Sequence, residues 1–136
     1  MRAGDLMRGD WVATFRFHRP FVQVEDIIGN AIITRESEYE SEEIDESEIF
    51  EILITPEILK KNGFVYIKQE DCYIYNARQT ALTLYDNSVN VNAWTMSAKC
   101  FEGRKCRTII DNYKLQYTYE LQHALKICRV NNNIKP

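Results

Sequence analysis

Hydrophobic and polar residues alternate along the first part of the chain. Trp11, Ala13, Phe15 and Phe17 interleave with Val12, Thr14, Arg16 and His18, a period of two that predicts a strand over 11–18. Pro20 ends or edges it, because proline has no N–H to give to a ladder. The pattern resumes at Phe21-Val22-Gln23-Val24, and Gly29-Asn30 sits between Ile27-Ile28 and Ala31-Ile32-Ile33. A two-residue loop led by glycine between apolar runs predicts a hairpin, since glycine readily takes the positive φ of a tight turn. Residues 1–35 therefore read as a small bent β-sheet or SH3-like barrel lobe.

Further along, Ile49-Phe50-Glu51-Ile52-Leu53-Ile54 is rich in β-branched residues and too short for a buried helix, which predicts a strand. Thr55 is then an N-cap, Pro56 suits the first helical position and Glu57 complements the helix dipole. Ile54 and Leu59 can staple the start, while Gly63 can take the left-handed position after the end with Phe64 folding back on Leu59. A helix of about two turns follows, too short to persist without packing. From Phe64 to Tyr117 the pattern is extended again. Candidate strands at 64–69, 72–76, 80–86 and 89–96 lie close enough together to predict an antiparallel meander. Residues 99–107 read as a basic loop with Gly103 at its tip, and 107–110 with 113–117 as a further hairpin. Tyr117, Leu121, Ala124, Leu125 and Cys128 then mark one face of an amphipathic C-terminal helix, with Thr118 as its cap and Asn131-Asn132-Asn133 as its stop. The fold class is α+β.

At 136 residues, the chain fits one domain over 1–136: the β lobe at 1–35, an acidic loop at 36–48, and helix, meander and terminal helix over 49–136. The net charge of −3 conceals a polar division. Residues 36–51 hold nine acids and no base, whereas residues 99–136 hold eight bases and three acids. A like-charge block of this kind reads first as a solvated loop and second as an interaction segment. No apolar core follows Met1–Asp5, and no apolar run approaches the roughly 20 residues that cross a bilayer. A cytoplasmic chain without a membrane partner is expected.

Cys72, Cys100, Cys106 and Cys128 are expected to be free thiols in a reducing compartment. Cys100-x5-Cys106 with His123-x4-Cys128 offers zinc-ligand types, but structural zinc pairs sit two to four residues apart, so small buried hydrophobes are the better reading. Glu120-x-x-His123 puts a carboxylate and an imidazole on one helix face, without the second copy that a di-iron site needs; a surface ion pair or hydrogen bond is expected. His18 reads as a solvated edge residue without an acid-base partner. No phosphate-binding glycine motif or nucleophile elbow occurs. No residue is assigned a catalytic, metal or cofactor-binding role, and no cofactor is expected. Two binding surfaces remain. Lys99, Arg104, Lys105 and Arg107 surround Phe101, a pattern in which bases track phosphate and an exposed ring stacks on a nucleobase. The bland alternative there is a solvated loop with Phe101 anchored in the core. Tyr73, Tyr75 and Trp94 could form a protein-partner patch, although aromatics in a sheet are more often core.

Three stretches carry a resemblance: Gly4-Asp5-Leu6-Met7-Arg8-Gly9-Asp10-Trp11-Val12, then Ile52-Leu53-Ile54-Thr55-Pro56-Glu57-Ile58-Leu59-Lys60-Lys61-Asn62-Gly63-Phe64, and Tyr117-Thr118-Tyr119-Glu120-Leu121-Gln122-His123-Ala124-Leu125. In this order they resemble small uncharacterised proteins of gut Bacteroides and related bacteria, often carried on mobile elements or phage-like regions. The resemblance implies a cytoplasmic bacterial protein and assigns no activity to any residue. The expected function is a non-enzymatic accessory or adaptor protein of a bacterial mobile element that binds a macromolecule through surface loops. The alternatives are a nucleic-acid-binding module using the 99–107 segment, or a small-molecule enzyme whose convergent polar groups one sequence does not reveal.

Overall fold

A computed structural model describes residues 1–15, 20–35, 40–87 and 93–136. The expectations for Arg16, Phe17 and His18, for Glu36 and Glu38, and for the start of the strand at 89–96 lie outside the described residues. The chain is mostly β with two helices, and it divides into two compact units, Met1–Ile52 and Leu53–Lys135.

The first unit is a curled five-strand antiparallel half-barrel. Its strands are β1 (Trp11–Thr14), β2 (Phe21–Ile28), β3 (Ala31–Arg35), β4 (Ser41–Asp45) and β5 (Ile49–Phe50), in the order β4-β3-β2-β1-β5. The glycine-led turn is where the sequence placed it: Ile28 pairs with Ala31, and Gly29 takes φ +59°. Val12, Val22, Val24, Ile32, Ile44 and Ile49 are buried. In β1 the buried register is that of Val12 and Thr14, and the strand stops early, leaving Phe15 90% exposed.

The acidic segment is not a loop over its whole length. Residues 41–45 form β4, which pairs with β3 so that Ile44 sits opposite Ile32, both fully buried. One inward isoleucine suffices because a strand turns alternate side chains to opposite faces. Asp45 then caps a 3-10 turn at Glu46–Glu48, its carboxylate accepting from Ser47 N–H at 3.0 Å and Ser47 Oγ at 2.7 Å. Both bonds favour the charged carboxylate and hold the Asp45 pKa below its ordinary value. The expected strand at 49–54 also divides. Ile49 and Phe50 pair with β1, whereas Leu53 bridges to Tyr117 and Ile54 N–H donates to Gln116.

The second unit opens on helix α1 (Pro56–Lys61). Thr55 Oγ1 accepts from Ile58 N–H at 3.2 Å, and Phe64 N–H returns to Leu59 O at 3.0 Å. Gly63 takes φ +90°, and a side chain there would meet the Tyr75 ring at 3.2 Å. Both clamps predicted from sequence are formed, with Ile54, Leu59 and Phe64 in one buried cluster. A meander follows: β6 (Val65–Ile67), β7 (Cys72–Ala77), β8 (Thr80–Asp86), β9 (Trp94–Glu102) and β10 (Lys105–Leu115), in the order β10-β9-β8-β7-β6. Where two short strands were expected near the end, β10 is one long strand with irregularities between Thr108 and Tyr113.

Helix α2 (Thr118–Ile127) contributes Leu121, Ala124 and Leu125 to a core shared with Leu82, Leu84, Met96 and Ala98 of the sheet. The cap is Tyr117 rather than Thr118: Glu120 Oε1 accepts from the backbone N–H groups of Tyr117 and Gln116, so the helix begins one residue earlier than expected. The tail beyond α2 is packed. Gln122 donates to Asn132 O at 2.9 Å and accepts from Ile134 N–H at 2.7 Å, while Asn62 exchanges hydrogen bonds with the Lys135 backbone.

Leu82 is fully buried, so Leu82→Ala is expected to cost about 2–5 kcal/mol. Urea unfolding followed by Trp94 fluorescence in a Trp11→Phe background measures this for the second unit alone.

Candidate nucleic-acid interface

The basic segment at 99–107 is not a loop. It is the tip of the β9–β10 hairpin, with Lys99 opposite Thr108, Cys100 opposite Arg107, Phe101 opposite Cys106 and Glu102 opposite Lys105. Only Gly103 and Arg104 form the turn, with Gly103 at φ +63°. The β7–β8 hairpin ends beside Phe101, whose N–H donates to Gln79 O at 2.7 Å. Beyond that rung the two strands pair only with each other, and residues 101–108 are all exposed. The sequence hid this strand because alternation marks a strand only when one face is buried, and this arm buries neither.

Cross-strand partners share a face, so the arm sorts its five nominated residues. Lys99 and Phe101 lie on the outer face with Cys106 and Thr108. Lys105 and Arg107 lie on the opposite face with Cys100 and Glu102, in the register that carries Met96 and Ala98 into the core. Arg104 stands at the tip. Phe101 is 44% exposed, not anchored in the core. The arm belongs to the basic part of the molecule: residues 53–135 carry twelve bases and seven acids, whereas residues 1–52 carry five bases and thirteen acids.

At the foot of the arm, on its inner face, lies an open cleft of about 970 Å³. Its walls come from the β7–β8 turn, the inner face of β9 and β10, and the chain at the end of α2. Arg78, Arg107 and Arg129 all line it, together with Cys100, Glu102 and Cys128. Arg78 and Arg129 were not singled out from sequence. They are far apart along the chain and share no motif, so only the topology joins them.

The aromatic patch nominated from sequence is corrected. Trp94 is 2% exposed and Tyr73 8%, the two rings meeting edge-on at 5.7 Å, and Trp94 Nε1–H donates to Ile54 O at 3.1 Å. Tyr75 is half-buried against Phe64. These rings bind the sheet to its own core because their faces follow the apolar register of β7 and β9. The exposed aromatic cluster lies in the first unit. Phe21 and Phe50 flank Ala13 from its two neighbouring strands, and Phe15 packs on Phe50 at 5.1 Å. Sequence alternation pointed to Phe15 without revealing that its face is open.

Cys100 and Cys106 face opposite sides of the arm, so they do not converge. Among the described residues, no three histidine, cysteine or acidic side chains gather as metal ligands. Glu120 is engaged at the start of its helix, and His123 meets the Tyr119 ring edge-on at 5.6 Å. Among the described residues, no helix is long and apolar enough to cross a membrane.

Burial pushes the thiols of Cys72 and Cys128 above their ordinary pKa, with Glu70 adding to the shift at Cys72. A raised thiol pKa favours the neutral folded form, so the contribution is full below the unfolded value and is lost as pH rises through the folded one. Native-state alkylation near pH 8 is expected to modify exposed Cys106 first and Cys72 and Cys128 last, an order that peptide mass mapping checks. Equal rates at Cys106 and Cys128 would contradict the burial described.

Compared with protein-family models, with curated proteins and with solved structures, the chain finds no match in any of the three.

Proposed function

We propose that this chain is an accessory binding protein whose macromolecular partner is single-stranded nucleic acid, held along the β9–β10 arm. The observation that carries this is the combination of Phe101, 44% exposed, with Lys99, Arg104, Lys105 and Arg107 on a ribbon that buries neither face. The Phe101 ring offers a stacking platform on the outer face beside Lys99, and the remaining bases follow phosphates around the tip. An unpaired base reaches such a ring without first leaving a duplex stack. The basic balance of residues 53–135 supports the same partner, even though the whole chain is acidic. The resemblance to proteins of gut Bacteroides supports a bacterial cytoplasmic setting on a mobile element.

Fluorescence anisotropy with a short labelled single strand tests this. Affinity is expected to fall linearly on a double-logarithmic salt plot. Arg104→Glu/Lys105→Glu/Arg107→Glu is expected to weaken binding at least about tenfold and to flatten that slope by about 2. Phe101→Ala is expected to weaken binding with the slope unchanged, since stacking releases no counterion. Binding that ignores both variants sinks the proposal.

A second reading has its own observation, the exposed cluster of Phe15, Phe21 and Phe50, whose chemistry suits a protein partner. Phe15→Ser/Phe50→Ser leaves oligonucleotide affinity unchanged under the first reading. Absence of any oligonucleotide binding by the native chain would leave this adaptor reading as the better one.

A further inference from the structure

Among the described residues, three two-residue hairpin turns place a positive φ on their first loop residue. Two of them use glycine, Gly29 at +59° and Gly103 at +63°. The third, between β7 and β8, uses Arg78 at +52°. A side chain at this position is disfavoured by contact between Cβ and the backbone, which is why glycine is the usual occupant.

The same exchange occurs at the end of α2. Val130 N–H returns to Leu125 O at 2.9 Å and Arg129 N–H to Lys126 O at 3.0 Å, the paired bonds of a Schellman motif. The residue such a motif assigns to glycine is Arg129, at φ +57°. Backbone geometry at both positions is thus better served by glycine, so the arginine side chains answer to something else. Both line the cleft below the arm, where Arg107 joins them from β10. None of the three guanidinium groups has a hydrogen-bond or ion-pair partner among the described residues, and Glu102 is the acid that lines the same walls.

We infer that this cleft is a binding site for a phosphate monoester, the dianion gripped by Arg78, Arg107 and Arg129. Guanidinium groups approaching from three separate elements can share the oxygens of one tetrahedral anion through paired, charge-assisted hydrogen bonds. A phosphate inside a strand offers a single negative charge and two free oxygens, whereas a terminal phosphate offers about −1.5 to −2 charge and three acceptor oxygens. The cleft at the foot of the arm therefore suits a strand end, and this source of the phosphate rests on the nucleic-acid reading above. A free phosphorylated small molecule presents the same chemistry, with Ile127 as an apolar wall beside it.

Anisotropy with a 5′-phosphorylated single strand and its 5′-hydroxyl counterpart, each competed with a nucleoside 5′-monophosphate, tests the site. The phosphorylated strand is expected to bind about tenfold tighter, the range of one charge-assisted contact set. Arg78→Gly/Arg129→Gly is expected to abolish that preference while leaving the thermal midpoint equal or higher, because glycine suits both backbones. Loss of the preference together with a lowered midpoint would make both arginines structural and overturn the inference. So would equal affinity for the two native-chain ligands with no displacement by the monophosphate. If neither strand binds but the monophosphate does, and Arg78→Gly/Arg129→Gly removes that binding, the cleft keeps its ligand and the nucleic-acid reading alone fails.

Discussion

Burial of α2 against the meander is the constraint on which the basic face of residues 53–135 depends. Leu121 and Leu125, both fully buried, join Leu82, Leu84, Met96 and Ala98 in one core. Closing that seam fixes where the helix ends, and Arg129 is carried by its last turn. The tail adds a polar lock: Gln122 satisfies the Asn132 carbonyl and the Ile134 N–H, while Asn62 holds the Lys135 backbone. Gln122 is a buried amide satisfied on both sides, which specifies one arrangement because slippage would strand a donor or an acceptor away from water. The tail is thus fixed against α2, and the β7–β8 turn meets the foot of the arm through the Phe101 N–H bond to Gln79 O. The tip of the arm lies outside that framework, and among the described residues its ties are the rungs between β9 and β10.

Charge is divided along the chain more sharply than its total suggests. The first 52 residues have a net charge of −8 and residues 53–135 a net charge of +5. Overall acidity is a poor guide to partners here, because a ligand samples local potential within about a Debye length and not the sum.

The parts of the fold legible in the sequence were those written in neighbouring residues. Helix α1 carried its cap, its proline, its staple and its terminal glycine within a dozen positions, and each does what local sterics require. The Gly29-Asn30 turn was legible for the same reason. Strand β4 was not, since its one buried residue, Ile44, stands among acids that outweigh it in any local count. The arm reads as a loop in sequence because an exposed ribbon has no apolar face to alternate. The patch of Tyr73, Tyr75 and Trp94 was misplaced because composition cannot say which side of a strand meets the helix. The cleft was invisible, as Arg78 and Arg129 meet only through the sheet order and the close of α2.

Strand β4 has a consequence for how the molecule behaves in bulk. Among the described residues it is the terminal strand of its sheet, with no strand on its outer side. Glu42, Glu43 and Asp45 stud that border, so two copies approaching edge to edge bring like charges together. The same row of carboxylates that makes this segment look unstructured thereby discourages a second copy from extending the sheet at this edge.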